Sequence, residues 1–212
     1  MNEQLQDLME IQLANTRKAL EKHLFPTYVV ENVEELRGLV SSLIQDGEQV
    51  SNGGSVTLDE TGILAMLRNR NIEFIEHDTS YPKDVQAQRQ RQALLSDTYI
   101  CSVNAITEQG EIFNVDGNGN RVAAITFGPK QVLLIVSTKK IVHDLESAIK
   151  RVKEIAAPAN CLRLHKATPC AKVGYCMDCE SKDRICATHV VMNWQKIENR
   201  IKIIFIKEPF GY

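Results

Sequence analysis

Apolar residues recur at helical spacing near the start of the chain: Leu5, Leu8, Met9 and Ile11, then Leu13 and Leu20. This spacing predicts an amphipathic helix over residues 3–22, broken at Pro26. Val33, Leu36, Val40, Leu43 and Ile44 predict a second helix that stops near Gly47. A short strand then enters the turn Ser51-Asn52-Gly53-Gly54-Ser55, and residues 57–70 follow as a helix with Leu58, Ile63, Leu64 and Leu67 on its apolar side. Residues 73–77 read as a strand. Pro82 suits the first position of a helix that runs to about residue 95. Strands are expected at 98–103, 111–115 and 131–137. The last, QVLLIVS, is apolar throughout its middle, as in a central strand buried on both faces. A helix over 141–156, an irregular stretch over 158–195 and a strand over 200–206 complete the reading.

Strands alternating with helices of this length imply βαβ units. The expected fold class is α/β, with a Rossmann-like, mostly parallel sheet covered by helices on both faces. The 212 residues fit one domain, with 158–195 as an insertion before the last strand. There is no internal repeat and no low-complexity tract.

Charge and composition narrow the function classes. Twenty-five basic residues against 27 acidic ones give a formal net charge of -2, so there is no electrostatic footprint for nucleic acid. The longest aliphatic runs, 132–136 and 203–206, are far shorter than the ~20 residues of a membrane-spanning helix. The polar start MNEQLQDLMEIQ does not have the form of a signal peptide. A cytoplasmic location is the expectation, with neither membrane nor nucleic acid as a partner. The long first helix can pack on its own sheet or on a second subunit, so a homo-oligomer stays open.

Two polar loops are candidates for ligand binding. Asn52, Gly53, Gly54 and Ser55 lie between a strand and a helix, where adjacent glycines let backbone approach a ligand and helix N–H groups favour an anion. A tight turn with Ser55 or Thr57 as helix cap fits the same residues. The second loop holds Asn104, Thr107 and Glu108, then Asn118, Asn120 and Arg121. Arg121 can grip a carboxylate or phosphate with two prongs, or pair structurally with Glu108 or Asp116.

Four of the six cysteines fall in the order Cys170-x5-Cys176-x2-Cys179-x6-Cys186. Clustered thiols in an intracellular protein point to metal ligation. A structural zinc usually takes two short Cys hooks, and only one is present. Iron–sulfur clusters, also held by four thiolates, tolerate more uneven spacing. Trp194, just beyond, is expected to pack this segment onto the sheet. Cys101 reads as a small core residue.

Several blocks, in order, resemble the LUD-domain (lactate-utilisation) family. They are VSNGGSVTL with ETGIL, SVNAITEQG, GNGNRVA with FGPK, and the ending IKIIFIKEPFGY. The resemblance spans nearly the whole chain. It implies the fold of the sugar-phosphate isomerase and CoA-transferase group, and a redox-linked role with a small anionic metabolite, carboxylate or phosphate. It also tilts the cysteine site towards a 4Fe–4S cluster, with zinc as the alternative, and implies a redox protein as partner. Isomerases of the larger group carry a catalytic acid in a pattern like Gly-Ala-Asp, where this chain has Val103-Asn104-Ala105. An amide cannot serve as that acid. Glu108 is the nearby carboxylate left as a catalytic base or nucleophile. A non-catalytic accessory module stapled by zinc is the competing reading.

Overall fold

A computed structural model describes residues 3–212. The first half of the chain runs α1 (Glu3–Lys22), β1 (Thr27–Val30), α2 (Val33–Leu43), β2 (Gln49–Asn52), α3 (Val56–Glu60), α4 (Ile63–Arg68), β3 (Glu73–Ile75), α5 (Lys83–Gln92) and β4 (Thr98–Cys101). It continues with β5 (Ala105–Thr107), β6 (Ile112–Asp116), α6 (Asn120–Thr126), β7 (Gln131–Ser137), β8 (Ile141–Val142), α7 (Leu145–Arg151), α8 (Ala157–Arg163), α9 (Cys170–Val173), β9 (Thr188–Met192) and β10 (Ile201–Ile206). Helix starts follow local chemistry. Asn32, Ser55 and Asp144 each accept a backbone N–H from three residues ahead, capping α2, α3 and α7.

The central sheet has the order β1-β10-β7-β4-β2-β3, and each pairing is parallel. β7 shows why its sequence is apolar throughout. Val132, Leu134 and Val136 join one core with Leu13 and Leu20 of α1. Leu133 and Ile135 join the opposite core with Leu36 and Val40 of α2 and Leu58, Ile63 and Leu67 of α3 and α4. A strand with helices on both faces has no polar side to offer.

A second, four-stranded sheet, β8-β5-β6-β9, was not foreseen in the sequence. Its strands are short, and β8 has two residues, too few to leave a periodic trace. Its outer face packs Ala105, Phe113 and Val115 on Ala148 and Val152.

Other boundaries also shift. The helix expected over 57–70 is broken at Gly62, whose positive φ and Arg37-filled surroundings separate α3 from α4. The helix expected over 141–156 begins at Leu145 and extends to Arg163 through a π turn at Val152–Ala156. Pro158 lies just after that turn, where its missing N–H fits the irregular hydrogen bonding. The stretch 158–195 is only partly irregular, because it holds most of α8, all of α9 and β9, and β9 closes the second sheet on β6. Trp194 does not clamp the cysteine segment to the sheet. It is 51% exposed and stacks on His23 after α1, ring centroids 5.0 Å apart. α1 packs on its own sheet through Leu13, Thr16 and Leu20, while Leu5, Leu8 and Ile11 stay exposed. Among the described residues, no helix is long and apolar enough to cross a membrane.

Leu134→Ala at the centre of β7 is expected to lower unfolding free energy by about 2–5 kcal/mol. Leu162→Ala, on the exposed side of α8, is expected to stay within about 0.5 kcal/mol. Urea titrations of both variants measure the contrast.

Candidate functional site

The strand order sets where a ligand can sit. From β2 the chain moves outward to β3, then returns to the other side of β2 for β4, β7 and β10. The connections after β2 and β4 therefore leave in opposite directions and open a crevice at the carboxyl ends of the strands. A cleft of about 670 Å³ occupies that place. It is lined by Asn52 at the end of β2 and Thr57 beyond it, Ser102 and Asn104 after β4, Lys140 after β7 and Gly211 after β10. That size suits a small molecule.

The glycine turn is forced by its neighbours. A side-chain carbon on Gly53 would lie 2.6 Å from the buried Tyr99 hydroxyl and 3.2 Å from Arg121. Asn52 is buried, its Oδ1 accepting the His77 N–H at 2.7 Å and so tying β2 to the segment after β3. Ser55 Oγ accepts the Leu58 N–H and serves as the helix cap.

Arg121 forms the knot of the second wall. Its Nε donates to Asp116 Oδ1 at 2.9 Å. Nη1 donates to Ser102 O and Asn114 Oδ1, and Nη2 to Asn104 Oδ1 and Val115 O, all within 3.0 Å. Those five bonds use the five N–H donors of a guanidinium. Asp116 Oδ2 in turn accepts the Arg121 and Val122 N–H groups at the start of α6. The pair is only 12% and 9% exposed. Of the two partners the sequence offered for Arg121, the structure selects Asp116. The guanidinium faces the cleft as a strut with its donors already committed.

Lys140 is the opposite case. It is 3% exposed. Its Nζ donates to Ser102 Oγ at 2.9 Å, Thr57 Oγ1 at 3.0 Å and Val103 O at 3.3 Å, with no carboxylate among those acceptors. Burial lowers its pKa to about 7, assisted by the positive charges of Arg151, Arg121 and Lys139. Above, Gly211 sits in the left-handed region, and any side chain there would strike Thr57 and come within 3.0 Å of Nζ. The cleft wall counts seven Lys and Arg side chains against five Asp and Glu, a positive balance in a chain of net negative charge.

Of the residues singled out in the sequence, Asn52, Gly54, Ser55, Asn104, Asn120 and Arg121 line this cleft, and Gly53 forms the turn beside it. Thr107 and Glu108 do not. Thr107 is fully buried in the β5–β6 turn, bonding Glu111. Glu108 lies on the α1 side, within 3.4 Å of Gln12 Nε2 and 3.8 Å of His143 Nδ1. The structure thus separates Glu108 from the other candidates. Sequence reasoning passed over Lys140, while Thr57 entered only as a possible helix cap and Ser102 only within the block SVNAITEQG. Lys140 follows the most apolar strand by three residues, and that position was the signal available.

The cysteine segment flanks the cleft through Lys182, Arg184 and Ile185. Cys170 is buried beside the Thr168 hydroxyl, Sγ to Oγ1 3.3 Å. Cys176 Sγ accepts the Asp178 N–H at 3.4 Å, and Cys186 Sγ faces Arg184 at 3.6 Å. Cys179 is part-exposed, and the Cys161 thiol, beside Cys170, is pushed by burial to about 11. Among the described residues, no three Cys, His, Asp or Glu side chains are gathered into a ready metal site.

Asp116→Ala is expected to cost about 3–5 kcal/mol of stability, because it strands a buried guanidinium and uncaps α6. Thermal unfolding followed by circular dichroism checks it, and a loss under about 1 kcal/mol would contradict the role assigned to the pair.

Comparison with known proteins gives a consistent picture. The profile described as the LUD domain matches residues 13–206. A crystal structure described as a DUF162 family protein from Deinococcus radiodurans superposes with a TM-score of 0.55 at 12% identity, covering 93% of this chain and 98% of that one. That likeness is one of fold. No curated protein matches this chain.

Proposed function

Since the chain belongs to the LUD-domain family, we propose that its cleft binds a small anionic metabolite, a carboxylate or phosphate, in redox-linked carboxylic-acid metabolism of the lactate-like kind. The observation that carries this reading is Lys140, a buried amine at the carboxyl ends of the strands that makes no hydrogen bond or ion pair to a carboxylate among the described residues. An anion brought beside it would supply the missing charge in a place shielded from water, where the attraction is strongest. The positive wall supports the same reading by favouring the approach of anions. Thr57, Ser55 and Ser102 add hydroxyls able to orient the ligand's oxygens.

The cysteine segment supports a second component: a metal centre on Cys170, Cys176, Cys179 and Cys186, with 4Fe–4S first and zinc second. The donor chemistry fits. Soft thiols are accompanied by an N–H directed at Cys176 sulfur, and Lys153 and Arg184 lie close enough to offset thiolate charge. Four thiolates suit either centre. A cluster would store an electron next to the cleft for exchange with a redox protein partner, whereas zinc would only staple the segment.

Two measurements test these readings. In thermal shift at low ionic strength, lactate, pyruvate or inorganic phosphate at about one hundred times its Kd is expected to raise Tm by about 5–10 °C. An equal response to a neutral analogue such as lactamide would remove the anion reading. After anaerobic purification, iron with matching acid-labile sulfide and a brown colour supports the cluster. One zinc per chain and no colour supports the staple. Neither metal, or metal retained in a Cys176→Ser/Cys179→Ser double variant, ends the proposal of a four-thiolate centre.

A further inference from the structure

We propose that Lys140 is a covalent anchor for small carbonyl compounds bearing a carboxylate or phosphate, its amine condensing with the ligand's carbonyl carbon to give an imine. The inference rests on the anion-binding reading of the cleft and adds a chemical step to it.

The first argument is placement. Lys140 sits three residues beyond β7, at the floor of the crevice, and is held by three neutral oxygens. A lysine kept for structure is normally buried with a carboxylate, because an isolated ammonium is costly to desolvate. Lys140 makes no ion pair among the described residues, so nothing in the fold requires it to be charged.

The second is the set of charges facing it. Arg151 approaches from α7, Arg121 from α6 and Lys139 from the adjacent position, while Glu60 of α3 is the acid in range. Cys101, at the end of β4, is also near, but burial lifts its thiol to about 12 and leaves it uncharged. Burial, reinforced by these cations and only partly opposed by Glu60, brings the amine to about 7. A lysine desolvated beside other cations is a nucleophile at neutral pH. The arginines remain charged, so the same surroundings that free the amine's lone pair also attract an anionic ligand.

The third is proton traffic. The nitrogen lone pair would attack the carbonyl carbon, and the carbonyl π pair would move to oxygen, which takes up a proton. The carbinolamine then loses that oxygen as water while the nitrogen gives up its protons, leaving one C=N bond for one C=O bond and no net oxidation. Ser102 and Thr57 hydroxyls, at 2.9 and 3.0 Å from Nζ, stand where those protons must pass. Lys140 and Gly211 both line the cleft, and a glycine at 211 keeps a side chain from pressing on Thr57 and the amine.

The test is reductive trapping on the full chain. The protein is incubated with pyruvate or dihydroxyacetone phosphate plus cyanoborohydride, then examined by intact mass and peptide mapping. The expected result is one adduct per chain on Lys140, heavier by the mass of the carbonyl compound less one oxygen, with a yield that rises as pH passes through about 7. The arm that labels distinguishes a 2-oxo acid from a phosphorylated carbonyl compound. Labelling spread evenly over Lys139 and the surface lysines, or undiminished in Lys140→Arg, overturns the inference. So does a saturable thermal shift with either compound and no trapping, an outcome that leaves the anion reading intact. No shift and no trapping with either compound removes both. Mapping on the wild-type chain decides the matter even if Lys140→Arg fails to fold.

Discussion

The contact between Arg121 and Asp116 fixes the geometry on which the cleft depends. Two charged groups are held almost out of water, which is costly unless each remaining donor and acceptor finds a partner. Here they do. The guanidinium binds the backbone after β4 and at the end of β6, together with the side chains of Asn104 and Asn114, while Asp116 begins α6. One side chain thus sets the relative position of a strand of the main sheet, a strand of the second sheet and a helix. The loop that carries Ser102 and Asn104 has its shape because of that bond, and Lys140 reads its environment from the same loop.

Two buried cations within one cleft divide two tasks. Arg121 is saturated, and its planar fork suits a fixed framework. Lys140 is supplied only with neutral acceptors, and its charge state responds to its surroundings. The fold carries the energetic burden of keeping an unpaired amine inside. Proteins tolerate such a defect chiefly where it is used.

The main sheet was legible because burial on both faces leaves a strong mark in the sequence. QVLLIVS and IKIIFI have no other plausible place, and each flanking helix shows its apolar stripe. The second sheet was not legible, since β5 and β8 have three and two residues and borrow their order from neighbours. In the cleft, turn residues such as Gly53 and Asn52 drew attention through local chemistry. Lys140 did not, because a lysine in a Thr-Lys-Lys run looks like any solvated charge until the strand order places it under a crevice. Glu108 is the converse case. It is near Asn104 along the chain, but the β5–β6 hairpin carries it towards α1.

α6 is only seven residues long, yet arginines hold both of its ends. Arg121 and Asp116 fasten the beginning. At the other end Arg200 is buried, with Nη2 donating to Ala124 O, Nη1 to Ile125 O, and Nε to Pro129 O just beyond. A helix bolted in this manner cannot act as a hinge or flap, so one jaw of the cleft is immobile. Any breathing that admits or releases a guest falls to other parts of the lining, such as residues 76–79, which lie outside any helix or strand. The enclosure is therefore mechanically lopsided, with a rigid anvil beneath a compliant cover.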